Sequence, residues 1–574
     1  MPATTGPMKE QKAMDTLQQF LRHTSIAYFS MEIALRPEMR TYSGGLGILA
    51  GDCARSSADL DLPLVFVTLV SHEGYLRQEI GSAGEQVDHP DPWRVEDWAT
   101  QLDFMAAVDI EGRSVWVRPW LYVVSCPLGG RIPVLLLDTR VEQNRPEDRS
   151  ITDRLYGGDA AYRLKQEIVL GVGGARILEG LGFEIRKFHL NEGHASLLTL
   201  HLLAKQTGTD VPLQGRLDKV REACVFTTHT PVEAGHDRFS YGEVARILGH
   251  GGLVDPDLLK QLGGKDELNM TLLALNLSRH VNGVAEVHAE TTRLIFPGYQ
   301  VGAVTNGVHV PTWAHPSFAE LFQGILSSWA HQPERLTRCE QLPDEAIWNA
   351  HQRAKRGLVA AVAKATGQML DEERPIIAFA RRMTGYKRPH LIFTDLERLR
   401  ELNRHYPFQI VMGGKAHPRD QEGKALIAEI HRHIRELAPE LPAAFVPNYD
   451  MELARLFVSG ADVWLNTPMP PLEASGTSGM KAALNGVLNL SVLDGWWSEG
   501  WVEGVTGWAI GEGDRPAKEH ASACLDKLER TVLPLFYENR PRWIWMMKQS
   551  ISKIGSYFNS QRMMRRYGSE VYLS

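Results

Sequence analysis

Short, nearly unbroken apolar runs recur along this chain and constrain its fold more than any other feature: "LPLVFVTLV", "RIPVLLLD", "EACVFTTH", "PIIAFARR", "QIVMGGK", "ADVWLNT" and "VLNLSVL". A strand that shows one face to water alternates apolar and polar residues, whereas a strand covered on both faces does not. Several runs lead into amphipathic stretches such as "PHLIFTDLERLRELNRH", for which we expect a helix opened by Pro389. The pattern predicts an α/β protein whose parallel sheets carry helices on both faces. A chain of 574 residues exceeds one hydrophobic core. The turn-rich "TNGVHVPTWAHPSF" marks a change of character between roughly 305 and 345. We expect two Rossmann-like α/β domains, roughly 1–320 and 340–540, facing a central cleft, and a C-terminal helix at 541–574 that packs back on the first domain.

Lysine and arginine together (62) are outnumbered by aspartate and glutamate (69), so nothing in the net charge of −7 asks for nucleic acid. The opening "MPATTGPMKEQKAMDTLQQFL" lacks a signal-type apolar core and no stretch reads as a bilayer span, so the expected setting is cytoplasmic. Cys53, Cys126, Cys224, Cys339 and Cys524 stand singly with no CxxC pair and read as reduced packing residues. His229 and His236 share the segment "THTPVEAGHDRF", but without HExxH or a tight His/carboxylate cluster no metal is expected.

Three loops carry the chemistry. "PLEASGTSGMKAALNG" follows the strand "ADVWLN" and places Lys481 early in a helix of small residues closed by Gly486. A Gly/Ser/Thr loop feeding a helix after a parallel strand offers free N–H groups to a phosphate, although small residues also serve close packing alone. "RRMTGYKRPH" follows "PIIAFA" and crowds Arg381, Arg382, Lys387 and Arg388 at a strand end, which an anion would neutralise. "YSGGLGILAGD" is a weak dinucleotide fingerprint, because the preceding "RPEMRT" is no strand; as a backbone loop approaching an anion it complements the other two.

Taken with "AYFSMEIA", "RLKQEIVLGVGG", "LNEGHASLLTL", "VNGVAEVHAE", "TNGVHVPTW", "IVMGGKAHP" and "VPNYDMELARLFVSGADVWLN", these loops resemble, in order and over most of the chain, the α-glucan (glycogen, starch, maltodextrin) phosphorylases of short prokaryotic type. The resemblance implies the GT-B glycosyltransferase architecture and retaining phosphorolysis of α-1,4-glucans to α-glucose 1-phosphate. It implies pyridoxal 5′-phosphate as cofactor, in Schiff-base linkage to Lys481. Thr477, Ser478 and Arg381 would then hold the cofactor phosphate, Tyr449 would face its ring, and Gly45 would lie beside it. Arg382, Lys387 and the Gly45 N–H would bind inorganic phosphate, while Glu473, Ser475, Gly476, His194 and Asn306 would contact the glucosyl unit. Lys481, Arg382, Lys387, His194 and Glu473 would be the catalytic set. The implied partners are a glucan or maltodextrin and phosphate, with no membrane and with a homodimer as one option.

Animal and plant members are longer, so their regulatory and much of their dimer segments would be shortened here, and the gate region around "DRLYGGDAAYR" differs. Two other readings stay open: a sugar-nucleotide glucosyltransferase of the same architecture, and a catalytically silent glucan-binding relative. Lys481 separates the first, which has no use for a Schiff-base lysine. Bound pyridoxal chromophore would separate both.

Overall fold

The computed structural model describes residues 15–207, 210–249, 253–511, 513 and 515–573. Two sheets organise the chain. In the first, the strands Gly302–Ala303, His280–Gly283, Cys224–Thr227, Lys187–Asn191, Ile26–Ser30, Leu64–Leu69 and Arg131–Asp138 lie side by side and parallel. The long strand Arg113–Ser125 then joins the edge antiparallel. The second sheet has six parallel strands in the order Ala443–Val446, Gln409–Gly413, Ile376–Ala380, Val463–Asn466, Leu488–Ser491, Gly507–Ala509.

In each sheet the strand order runs one way from the first parallel strand and the other way from the fourth parallel strand. The direction reverses between Ile26–Ser30 and Lys187–Asn191 in the first sheet, and between Ile376–Ala380 and Val463–Asn466 in the second. Loops leaving the carboxyl ends of two such strands run to opposite faces and leave a crevice between them. The loops that follow these four strands hold the glycine loop, the His194 turn, the basic loop and the Glu473–Lys481 segment.

Alternation along the strands assigns their residues to separate cores. Ala27 and Phe29, with Val65, Val67 and Leu69, belong to one buried cluster; Ile26 and Tyr28, with Leu64 and Phe66, belong to another on the opposite face. That second face is covered by the end of the chain, where Met563, Met564, Tyr567, Val571 and Tyr572 join the same cluster. The Tyr567 hydroxyl lies 3.0 Å from Thr227 Oγ1, and the Tyr572 hydroxyl 2.7 Å from His189 Nδ1. The segment Val308–Leu342 sends its apolar residues into the core of the second sheet.

A hairpin, Arg77–Ile80 paired with Gln86–His89, reaches from the first half onto the second. Gln78 Nε2 donates to Gly414 O (2.9 Å), Gln86 Nε2 donates to Ala416 O (3.0 Å), and Gln78 and Asn448 exchange hydrogen bonds with each other's backbone and side chain. No helix among the described residues is long and apolar enough to cross a membrane. One expectation is corrected: Pro389 opens no α-helix. A single 3-10 turn, Leu391–Phe393, follows it, and the helix begins at Leu396, where the Asp395 carboxylate accepts from Arg398 N.

Candidate functional site

Strand Ile26–Ser30 delivers Glu32 to its carboxyl end, where it is 1% exposed. Its carboxylate accepts from the N–H groups of Ser43 (2.6 Å) and Gly44 (3.1 Å) and from the Tyr156 hydroxyl (2.9 Å), so one side chain shapes the glycine loop and ties it to the segment that carries Tyr156. Gly47 must lack a side chain, because a Cβ there would sit 2.6 Å from Glu32 Oε2 and 2.7 Å from Tyr42 Cβ. The helix Gly45–Asp59 opens from Gly44 without a side-chain cap, and Gly45 is exposed. The N–H groups of such a first turn have no partner within the helix.

The basic loop faces this turn. Arg382 Nη2 would lie 3.3 Å from a Cβ on Gly44, so the guanidinium sits against the glycine loop. Among the described residues Arg382 has no hydrogen-bond acceptor and no ion-pair partner, and its side chain is open to solvent. Crowding by protein disfavours its charge, but Tyr75, Tyr386, Glu32 and Tyr156 outweigh this and hold its pKa above the ordinary value.

Glu473 is the carboxylate that pairs with the basic loop. Its Oε2 lies 2.6 Å from both Arg381 Nη1 and Lys387 Nζ, and it is 4% exposed. Burial alone would raise its pKa; Arg381 and Lys387 reverse that and bring it down to about 2. Arg381 also donates to Asn466 Oδ1. Behind Glu473 stands Asp494, which accepts from Glu473 N (2.8 Å) and Gly495 N (2.8 Å). Burial, with the nearby Glu473 charge, pushes the Asp494 carboxyl up to about 7. Arg388 does not join the cation cluster that the sequence suggests. At φ 47° it turns inward, 3% exposed, and its guanidinium donates to Thr467 O (2.9 Å) and Pro468 O, stitching the basic loop to the loop after Asn466.

Lys481 lies in the helix Ser478–Leu484 and is 7% exposed. Its Nζ rests 4.0 Å from the centre of the Trp313 ring and has no hydrogen-bond acceptor among the described residues. Burial brings the amine down to about 8, with Asp52 opposing and Arg55 assisting. Gly476 adopts φ +88°, and Ser475 Oγ is buried without a partner. Thr477 makes no side-chain cap, and Ser478 Oγ accepts from Trp464 Nε1 at 3.2 Å. The Tyr449 ring stands edge-on to Phe457 (5.6 Å), and burial raises its hydroxyl pKa.

His194 comes from the turn after Lys187–Asn191. Its Nε2 lies 3.4 Å from both Asp237 Oδ2 and Arg163 Nη2, its Nδ1 is buried without a partner, and its ring stands 5.8 Å from Tyr156. Burial, then Arg163, lowers its pKa to about 3, so it is a neutral hydrogen-bonding group at physiological pH. Asn306 is 4% exposed with its Oδ1 unpartnered, and no hydrogen bond links its side chain to the other site residues. Glu32, Asp52, Tyr156, Arg163, Asp237, Trp313 and Asp494 were not picked out from the sequence. Glu32 and Asp52 do fall inside the quoted "AYFSMEIA" and "GGLGILAGD", where an acidic residue beside a glycine loop is the signal available.

The donor set suits pyridoxal phosphate. Lys481, a buried amine with no hydrogen-bond acceptor among the described residues, suits the cofactor's aldehyde, while Arg382 and the unpartnered Ser475 hydroxyl suit a substrate phosphate and a sugar hydroxyl. Arg381, expected at the cofactor phosphate, is paired with Glu473 and Asn466.

The model of the carbohydrate phosphorylase family matches residues 257–499, a segment that takes in Trp313, the basic loop, Glu473 and Lys481. The chain is 39% identical to a maltodextrin phosphorylase of Thermococcus litoralis, over 95% of this chain and 70% of that protein. It is 37% identical to a glycogen phosphorylase of Aquifex aeolicus (95% and 86% covered) and 36% identical to one of Mycobacterium tuberculosis (96% and 71%). Identity of this order over 95–96% of the chain, with more than two thirds of each relative covered, shows that the chain belongs to the carbohydrate phosphorylase family.

Proposed function

We propose that the protein is a pyridoxal-phosphate-dependent α-glucan phosphorylase, a hexosyltransferase that moves the terminal glucosyl unit of an α-1,4-glucan to inorganic phosphate with retention and releases α-glucose 1-phosphate. The observation that carries this is the pairing at the strand ends. Arg381 and Lys387 share one oxygen of Glu473, and Arg382 faces the glycine loop with no ion-pair partner among the described residues, a set of donors that a phosphate dianion would complete.

Each residue then has a role in the chain's own chemistry. Arg382, Lys387 and the Gly45 N–H bind inorganic phosphate beside the glycine loop. Binding draws Lys387 from Glu473, and the freed carboxylate accepts from sugar hydroxyls. Neutral His194 and Asn306, with Ser475 and Gly476, orient the glucosyl unit without adding charge. Lys481, Thr477, Ser478, Arg381 and Tyr449 would hold the cofactor, whose phosphate supplies a proton donor and acceptor next to the substrate phosphate. Phosphate itself attacks the oxocarbenium-like sugar, so the carboxylate pair of a glycosidase is not needed.

The same reading places the site in a cleft between two Rossmann-like domains of GT-B type, roughly 1–320 and 340–540. Within the closing segment 541–574, the helices from Ser560 on would brace the first, whereas residues 543–558 pack in the core of the second sheet; a homodimer would be the assembly, and the setting would be cytoplasmic. The five free cysteines suit a reducing compartment. Incubation with maltoheptaose should yield glucose 1-phosphate only when inorganic phosphate is present. Turnover with a sugar nucleotide and none with phosphate would move the protein to the synthase class; glucan binding without either activity would make it a silent relative.

A further inference from the structure

Beneath the lysine amine lies a support that the proposed reaction does not use. Asp52, two turns along the helix that begins at Gly45, is 1% exposed. Its Oδ2 accepts from Trp313 Nε1 at 2.8 Å, and its Oδ1 stands 3.4 Å from Arg55 Nη1. Trp313 is itself 1% exposed, with its ring face against Lys481 Nζ at 4.0 Å. Asn485 fixes the two backbones to each other: its Nδ2 donates to Trp313 O and to Lys481 O, both at 2.9 Å.

We propose that Asp52 is a positioning residue for the Lys481 amine, holding the indole face on which the amine rests and supplying the negative charge that compensates it through that ring. An indole N–H needs only a neutral acceptor, so the bond to Trp313 does not by itself call for a carboxylate. A buried carboxylate is costly unless cations repay it. Arg55 repays it in part, since its Nη2 is committed to Ala34 O (2.9 Å) and Leu35 O (2.7 Å). The second cation within reach is Lys481, and donation from Nε1 to a carboxylate makes the indole face more electron-rich and so more attractive to an ammonium.

Asp52 and Arg55, both on the helix Gly45–Asp59, are the charges that bear on Lys481 among the described residues, and they act in opposite senses. The helix that presents Gly45 at one end therefore sets the amine of the other half of the site further along.

The inference takes from the proposed function only that Lys481 is the cofactor lysine, and its test does not need the cofactor. In the full chain without cofactor, the pH dependence of Lys481 labelling by trinitrobenzenesulfonate, read by peptide mapping, gives the amine midpoint. Asp52→Asn keeps an acceptor for Trp313 Nε1 and removes the charge. From an amine near 8, it should lower the midpoint by about one unit and speed labelling at pH 7 roughly fivefold. Arg55→Gln should move the midpoint upward. Opposite shifts support the assignment, whereas a wild-type midpoint in Asp52→Asn, or shifts of one sign in both, overturn it. If Asp52→Asn does not fold, Arg55→Gln decides, since an unmoved midpoint there overturns the proposal too. Separately, absence of a pyridoxal absorption band after reconstitution of the wild type would defeat the cofactor reading and leave the amine titration standing.

Discussion

Lys387 Nζ and Glu473 Oε2 stand 2.6 Å apart across 86 residues of sequence, and Arg381 Nη1 reaches the same oxygen at the same distance. One carboxylate oxygen thus holds two cations from the neighbouring strand end. Arg382, one residue from Arg381, is left facing the glycine loop with no ion-pair partner among the described residues. The arrangement is electrostatically incomplete, and each of its four groups makes a distinct, measurable contribution.

Removing the carboxylate should uncover the cations. Glu473→Gln leaves two desolvated cations without their counter-charge, a change that costs about 3–5 kcal/mol in buried pairs. We expect a large drop in thermal midpoint in phosphate-free buffer and a rise on adding millimolar phosphate that exceeds the wild-type rise. Calorimetric scans with and without phosphate check this; equal phosphate responses in the two proteins would contradict it.

Removing the cations should act on phosphate far more than on glucan. Arg382→Ala and Lys387→Ala each delete one partner of a dianion in a crowded site, worth on the order of 2–5 kcal/mol. The expected result is a steep rise in phosphate KM and a fall in kcat, with maltodextrin affinity near wild type. Loss of glucan affinity at unchanged phosphate KM would move these residues to the sugar subsites.

Acid should weaken the fold through the paired carboxylates in a defined window. Glu473 is held near 2 by Arg381 and Lys387, and Asp462 near 2 by Lys355 at 2.8 Å and His351 at 2.9 Å. Because the unfolded chain protonates these groups near 4, their contribution is complete above that pH and is lost as pH falls towards 2. Each is worth on the order of 3 kcal/mol. Between about 4 and 6.5, His194, which stays neutral when folded, makes stability fall with acid, and Asp494, protonated up to about 7, opposes it. Denaturant midpoints measured from pH 5 to 2 should flatten in Glu473→Gln relative to wild type.

Covalent mapping tests the lysine directly. Borohydride reduction of the reconstituted protein should place the pyridoxyl group on Lys481, a buried lysine whose amine rests on Trp313. A label on another lysine would remove the assignment.

The sequence made the second sheet legible because its central strands are plain apolar runs: "IIAFA", "QIVMG", "VWLN" and "LNLS" are buried along their whole length. The first sheet hid two strands that flank its reversal point, "IAYFS" and "KFHLN". They are buried throughout except at Lys187, but Tyr28 and His189 face a polar seam closed by the Tyr567 and Tyr572 hydroxyls from the chain's other end, a partner that no local window contains. The site divides the same way. Lys481, Glu473, Arg382 and Lys387 announce themselves by loop chemistry, whereas Glu32, Asp52 and Trp313 act through contacts made only when distant strand ends meet. Arg388 misleads because a left-handed turn, invisible in composition, points it away from its neighbours.

The glycine loop offers the sharpest contrast between neighbours. At Gly47 an added Cβ would press on Glu32 Oε2 at 2.6 Å and Tyr42 Cβ at 2.7 Å, and Glu32 is the residue that holds the Ser43 and Gly44 N–H groups. At Gly45 nothing lies within 4 Å. Gly47→Ala should therefore lose about 1–3 kcal/mol through overpacking and displace the loop, raising phosphate KM together with the loss of stability. Gly45→Ala should keep the wild-type thermal midpoint, because its backbone is not in the left-handed region and the space is open. Paired thermal scans separate the two. Equal destabilisation by both variants would mean that the loop's tightness, rather than the Glu32 contact, sets its shape.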